Sequence, residues 1–142
     1  MIVPDVNVLL YAYDTNSARH DVARAWWERV LSDTEPVGLP WVTVLGFVRI
    51  TTHPRVFQSP MTVTEATAHV DEWFEQAVTR SLHPGERHWA ILSTLLRESR
   101  AAANLTTDAH LAALAIEYGG TVYSSDADFR RFRGLKLENP LG

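Results

Sequence analysis

Four aspartates stand where their carboxylates could act together on a phosphate ester. Asp5 directly follows a short apolar segment, Asp126 and Asp128 follow another, and Asp108 lies in the first turn of a predicted helix. Carboxylates that share a crevice repel one another and raise one another's pKa values. A divalent cation bound among them removes that repulsion. We therefore predict metal-dependent chemistry at these four residues.

The kind of ion and reaction follows from the available ligands. The chain has no cysteine, and its six histidines show no metal-ligand spacing. Carboxylate oxygens favour Mg²⁺ or Mn²⁺, and Mg²⁺ keeps several waters and meets substrate phosphates. A water molecule acidified by such an ion can attack a phosphodiester, and the ion stabilises charge on the phosphoryl group. Phosphodiester hydrolysis is the predicted reaction, with Mg²⁺ or Mn²⁺ as the cofactor.

Each aspartate also has a structural explanation. Asp5 could cap a helix, Asp108 could interact with a helix dipole, and Asp126 could form an Asx-turn. Capping alone does not predict that these residues gather at strand ends. A phosphatase that uses Asp5 as a nucleophile is a rival enzyme. Asn7, which stands where such an enzyme would want a second acid, argues against it.

The elements that must position these residues alternate between strands and helices. The carboxyl ends of parallel strands form the usual ligand-binding crevice of an α/β sheet. We predict a single domain over residues 1–142, with a central, mostly parallel sheet between two helical layers in an α/β/α sandwich. Strands are predicted over residues 2–4, 36–40, 80–83, 121–124 and 135–137, and helices over 6–13, 18–31, 41–52, 62–77, 86–100 and 108–118, with a short last helix after the turn at 125–129.

Several side chains are predicted to define individual helices. Thr62 and Glu65 have the spacing of a capping box. Asn16 or Ser17 could cap the helix over 18–31, and Thr107 could cap the helix over 108–118. In the helix over 86–100, the apolar pattern places Trp89 inward.

Composition limits the classes of protein to consider. The chain has 142 residues, of which 46% are hydrophobic and 21% are charged, as in an ordinary globular domain. A net charge of −4 argues against a protein that coats nucleic acid by bulk charge. No apolar run approaches the length of a membrane helix, and no basic segment precedes one at the N-terminus. We therefore expect a cytoplasmic protein with no membrane association.

Three segments together resemble the PIN domain of the VapC toxins. They are DVN at residues 5–7, TDAHLAALA at 107–115 and SSDADF at 124–129, and RITTHPRVF at 49–57 resembles a stretch found in one subgroup. The resemblance covers nearly the whole chain. It implies a PIN-like fold and an Mg²⁺-dependent endoribonuclease acting on RNA. It also implies a VapB-type antitoxin as inhibitory partner and, in most members of the family, a homodimer.

The resemblance also implies roles for individual residues. Two arginines after the acidic turn could hold RNA phosphates, although a solvated helix face would explain them equally well. Polar groups that hydrogen-bond to metal ligands fix the geometry of those ligands. The implied roles are catalytic for Asp5, Asp108 and Asp126, metal-ligating for these three and Asp128, orienting for Asn7 and Ser124, and RNA-binding for Arg130 and Arg131.

One acidic residue of the family pattern is missing. The family has a glutamate on the helix after the second strand, and the matching place here is around Gly46 and Phe47. No Asp or Glu occurs between Glu35 and Glu65. A single Mg²⁺ held by aspartates and water is still expected, because this ion needs no all-protein cage. The alternative is a catalytically weak module that binds RNA or the antitoxin. Arg49 and Arg55 are further candidates for RNA contact, and Arg49 lies in a largely apolar segment.

Overall fold

The computed structural model describes residues 1–142 and contains the predicted alternation of strands and helices. None of the helices combines the length and the apolar character that a membrane span requires. Two short 3-10 helices cover Ala103–Leu105 and Ala127–Arg131. The strands are β1 (Ile2–Pro4), β2 (Val37–Pro40), β3 (Thr79–Leu82), β4 (Thr121–Tyr123) and β5 (Lys136–Glu138), and the helices are α1 (Val6–Tyr13), α2 (His20–Ser32), α3 (Trp41–Thr51), α4 (Val63–Glu75), α5 (His88–Ser99) and α6 (Thr106–Glu117).

The five strands form one sheet in the order β3-β2-β1-β4-β5. All four pairings are parallel, so the sheet is wholly parallel where a mostly parallel one was predicted. The chain runs outward from β1 through β2 and β3, and then returns to the other side of β1 to form β4 and β5. This reversal creates a switch point between β1 and β4. In open α/β sheets, ligands bind beyond the carboxyl ends of the strands at such a point.

Two apolar cores lie on opposite faces of the sheet. Ile2 belongs to the core that also contains Trp27, Phe47 and Trp73, whereas its neighbour Val3 belongs to the other core. Successive side chains of a strand point to opposite faces. The first core is therefore covered by α1 to α4, and the second is covered by α5 and α6. This arrangement confirms the predicted three-layer sandwich.

The capping box at the start of α4 is present as predicted. The Glu65 amide donates to Oγ1 of Thr62 at 3.1 Å, and the Thr62 amide donates to Oε1 of Glu65 at 3.2 Å. Two of the first four orphan amides of the helix are satisfied in this way. The sequence pattern alone was sufficient here because both partners lie within one helical turn.

Three local predictions were wrong. Helix α2 begins at His20, and the Ser17 hydroxyl accepts from the Arg19 amide at 3.1 Å without capping the helix. Thr107 lies inside the first turn of α6, which has no side-chain cap. Trp89 is 69% exposed, because the buried side of α5 passes through His88 and Leu95, about 100° around the helix from position 89.

Candidate active site

Asp5 lies at the junction of β1 and α1, at the switch point of the sheet. Its Oδ1 accepts from the Val6 amide at 2.8 Å, so the residue does cap α1. Its Oδ2 accepts from the hydroxyl of Ser124 at 2.7 Å. Burial raises the pKa of the Asp5 carboxyl; these two hydrogen bonds oppose the shift, and repulsion from Asp126 adds to it. The capping role and a site role therefore coexist in one side chain.

Ser124 links three of the polar residues implied by the resemblance. It follows β4 and is only 1% exposed. Its hydroxyl donates to Asp5 and accepts from the Asp126 amide at 3.0 Å and from Nδ2 of Asn7 at 3.3 Å. The structure thus brings Ser124 into contact with Asp5 and Asp126, which it is predicted to orient, and brings Asn7 into contact with Ser124. The orienting role itself stays a prediction.

Asp108 faces Asp5 across a small cavity. Burial raises the pKa of Asp108 to about 6, and repulsion from the other three aspartates adds to the shift, with Arg131 partly offsetting it. The four aspartates therefore act as one electrostatic group. The cavity has a volume of about 100 Å³ and is lined by Asp5, Val6, Val42, Thr43, Gly46, Arg49, Thr107, Asp108 and Leu111.

Asp126 and Asp128 lie on the other side of Ser124. Oδ1 of Asp126 accepts from the Asp128 amide at 2.9 Å, which is the predicted Asx-turn, and Asp126 caps the 3-10 helix that follows. Asp126 borders a separate cavity of about 120 Å³, which Arg130 also lines. Asp128 is exposed, and its Oδ1 lies 3.8 Å from Nη2 of Arg131. The acidic group thus spans two neighbouring cavities.

The donor atoms fit a hydrated divalent cation. No set of three or more Asp, Glu or His side chains is arranged to hold one ion directly. Mg²⁺ needs only one or two carboxylates and keeps several waters. Asp5 and Asp108 offer two such carboxylates on one cavity, and the raised pKa of each reflects burial and repulsion that a cation would relieve. These two residues would hold the ion, and the charge of Asp126 acts on both of them.

The remaining wall of the acidic cavity comes from α3. The hydroxyl of Thr43 donates to the Pro4 carbonyl at 2.9 Å and so ties α3 to the end of β1. Gly46, which lies in the region around Gly46 and Phe47 where the family glutamate is missing, lines the cavity with Asp5. A Cβ atom at Gly46 would lie 3.3 Å from Cγ2 of Val6, which is a tight contact. No sequence pattern predicted that Thr43 would line this cavity.

Comparisons with known proteins identify the family of this chain. The model of the PIN domain family matches residues 2–135. The chain is 43% identical to the ribonuclease VapC33 of Mycobacterium tuberculosis over 99% of both chains. It is 40% identical to the ribonuclease VapC43 of the same organism, over 99% of this chain and 96% of the relative.

Solved structures share the fold at much lower identity. VapBC2 of Rickettsia felis bound to promoter DNA matches with a TM-score of 0.70 and 15% identity over 98% of both chains. VapC20 of Mycobacterium tuberculosis, described as a toxin that cleaves the sarcin-ricin loop, matches with a TM-score of 0.66 and 18% identity over 96% of this chain and 99% of that one. The extent of the family match and the identity to the curated relatives show that this chain belongs to the PIN-domain family, among the VapC proteins.

Proposed function

We propose that this VapC protein is a metal-dependent endoribonuclease that hydrolyses RNA phosphodiester bonds, with Mg²⁺ or alternatively Mn²⁺ as its cofactor. The observation that carries the proposal is the cavity between Asp5 and Asp108, where two carboxylates with raised pKa values face each other. Such a pair is unfavourable in an empty site and favourable once a cation binds. Relatives named as ribonucleases at 43% and 40% identity support RNA as the substrate.

In this proposal each residue has a distinct task. Asp5 and Asp108 would hold the ion, with Asp126 as a further acidic group. When bound, the ion would supply an acidified water and stabilise charge on the phosphoryl group. The hydrogen bonds of Ser124 to Asp5, Asn7 and Asp126 hold these groups in place. Arg130 and Arg131, which follow the acidic turn, bind flanking phosphates, and Asp128 is an outer ligand.

We also propose that the protein is the toxin of a toxin-antitoxin pair, acts in the cytoplasm and forms a homodimer. Structural relatives solved as VapBC complexes support a VapB-type antitoxin as partner. Trp41 and Leu45 lie one turn apart on α3 and are 46% and 66% exposed. Large apolar side chains exposed together are typical of protein interfaces. This surface is the proposed contact for the second subunit or the antitoxin.

The second candidate is a module that binds RNA or antitoxin with little catalysis. It is favoured by the absence of any acid on the α3 wall, where the family glutamate would be expected around Gly46 and Phe47. Binding of RNA would then depend on the arginines and would survive the loss of Asp5, whereas catalysis would be lost with Asp5.

An RNA cleavage assay separates these candidates. The purified chain is incubated with tRNA, rRNA and mRNA fragments in Mg²⁺, in Mn²⁺ and in EDTA. The variants Asp5→Asn and Asp126→Asn are tested in the same way. Asp71→Asn, at an exposed position on α4, is the control. We expect discrete products that require metal, persist in Asp71→Asn and vanish in the two site variants. RNA or antitoxin binding without cleavage by any of the proteins would contradict the enzymatic proposal and favour the binding module.

A further inference from the structure

Arg49 lies on the wall of the acidic cavity without a carboxylate partner. It occupies the last turn of α3, its side chain is exposed, and it forms none of the ion pairs in the structure. It lines both the cavity of Asp5 and Asp108 and an adjoining cavity of about 490 Å³. Neither carboxylate of this cavity forms an ion pair with Arg49, so its guanidinium is available to a ligand.

The other arginines near the acidic group are placed differently. Arg131 lies 3.8 Å from Asp128 and is the cation that lowers the pKa of Asp108. Arg130 borders the separate cavity of Asp126. Arg49 is thus the one arginine that lines the cavity shared by Asp5 and Asp108.

The position of Arg49 on α3 relates it to the missing acid. Gly46 and Arg49 are three residues apart, so they lie on the same face of the helix. At position 46 a Cβ atom would lie 3.3 Å from Cγ2 of Val6, so a side chain there requires a small shift. At position 49 a long cationic side chain reaches the same cavity. This wall therefore presents a positive charge where the family pattern presents a negative one.

We infer that Arg49 binds the non-bridging oxygens of the scissile RNA phosphate and takes the electrostatic role that a second metal ion has in two-metal nucleases. The inference rests on the proposed function. The planar guanidinium matches the geometry of a phosphate and can form two parallel hydrogen bonds with it. An ion held by Asp5 and Asp108 would leave the guanidinium of Arg49 to stabilise the remaining charge on the phosphate. A glutamate for a second ion is not needed in this arrangement.

The first test measures RNA binding without turnover. The Asp5→Asn protein, which should not cleave, is the background for three further variants: Arg49→Met, Arg49→Lys and the control Arg97→Met. Binding of a fluorescent single-stranded RNA is measured for each in EDTA at several salt concentrations. Arg97 is exposed on α5 and borders none of the described cavities. Each phosphate contact contributes about 0.7 to the salt slope for single strands. We expect Arg49→Met to lower the slope by about that amount, and Arg49→Lys and Arg97→Met to retain it.

The second test measures cleavage by the same variants with Asp5 intact. Removal of one donor to the transition state typically lowers kcat by about 10²- to 10³-fold. We expect a loss of this size in Arg49→Met, a smaller loss in Arg49→Lys because the paired hydrogen bonds are gone, and no loss in Arg97→Met. A kcat and a salt slope in Arg49→Met equal to those of Arg97→Met would overturn the inference and leave the proposed function intact. A parent chain that never cleaves would instead refute the proposed function, and the catalytic role of Arg49 with it.

Discussion

The hydroxyl of Ser124 lies 2.7 Å from Oδ2 of Asp5 and joins the ends of β1 and β4 at the switch point of the sheet. The backbone reinforces this link, because the Asp5 amide donates to the Tyr123 carbonyl at 3.0 Å. Asp5 is therefore oriented by the fold before any ion binds. A ligand whose orientation is fixed in advance loses less conformational freedom on binding.

Replacing Ser124 with alanine tests this orientation. Loss of a hydrogen bond to a metal ligand typically lowers metal affinity or activity by about 10- to 100-fold. The hydrogen bond also lowers the pKa of Asp5, so its loss should move the acid limb of the pH profile to higher pH. We expect both effects in Mg²⁺ titrations and cleavage assays of Ser124→Ala. Ser125→Ala, which removes a neighbouring hydroxyl without a hydrogen bond to Asp5, is the control, and equal behaviour of the two variants would contradict the prediction.

The pKa of Asp108 predicts how metal binding depends on pH. Burial, followed by repulsion from Asp5, Asp126 and Asp128, raises this pKa from 3.8 to about 6. An ion must displace the proton that the carboxyl holds below that pH. We therefore expect the apparent Mg²⁺ affinity to increase as the pH rises through 6 and then to level off. Calorimetric titrations between about pH 5 and pH 8 measure this, and a pH-independent affinity in the parent protein would rule it out.

The same shift predicts a stabilising substitution. Because the folded pKa of Asp108 lies above 3.8, the folded state binds more protons, and the stability of the metal-free protein falls as the pH rises from 3.8 to about 6. Asp108→Asn removes this penalty. Since the side chain is only partly buried, we expect a gain of about 1 kcal/mol or less in the free energy of unfolding at pH 7.

Thermal and urea unfolding without metal measure this gain. Asp71→Asn, at an exposed position of α4, serves as the matched control and should leave the stability unchanged. Mg²⁺ should then stabilise the parent more than Asp108→Asn, because a ligand that binds only the folded state raises its stability. A destabilised Asp108→Asn protein would show that the carboxylate supports the fold.

The sequence predicted those features that depend on neighbours along the chain. The segment 41–52 was assigned to a helix because of its length, despite several β-branched residues, and α3 occupies Trp41–Thr51. Asp5 was placed at a strand-to-helix junction because an apolar segment ends just before it, and β1 ends at Pro4. Local pattern was sufficient in both cases.

Features that depend on packing between distant residues were not predictable in this way. Thr43 reaches the site because its hydroxyl meets the Pro4 carbonyl, 39 residues away in sequence. Asp126 lines a different cavity from that of Asp5 and Asp108, which depends on packing between elements distant in sequence. Neither arrangement leaves a periodic or capping signal in the sequence.

Gly46 lines the acidic cavity in the region where the family glutamate is missing. A glutamate there would add another carboxylate to the cavity of Asp5 and Asp108. The contact of its Cβ with Val6 at 3.3 Å requires a small shift, and overpacking of this kind costs roughly 1–3 kcal/mol. Gly46→Gln has the same bulk without the charge and is the control. We expect both variants to lose similar stability in Mg²⁺, and Gly46→Glu to lose more without metal because it adds repulsion.

Binding of Mn²⁺ measures what the added carboxylate does. If the α3 wall holds a second ion once it carries an acid, Gly46→Glu should bind two Mn²⁺ ions per chain, whereas the parent and Gly46→Gln should bind one. Two ions bring the site closer to the arrangement that stabilises both the attacking and the leaving oxygen. Cleavage by Gly46→Glu should then depend less on Arg49, so Arg49→Met should lower kcat by a smaller factor in that background. One bound ion in all three proteins would mean that the wall lacks the geometry for a second site, whatever residue stands at position 46.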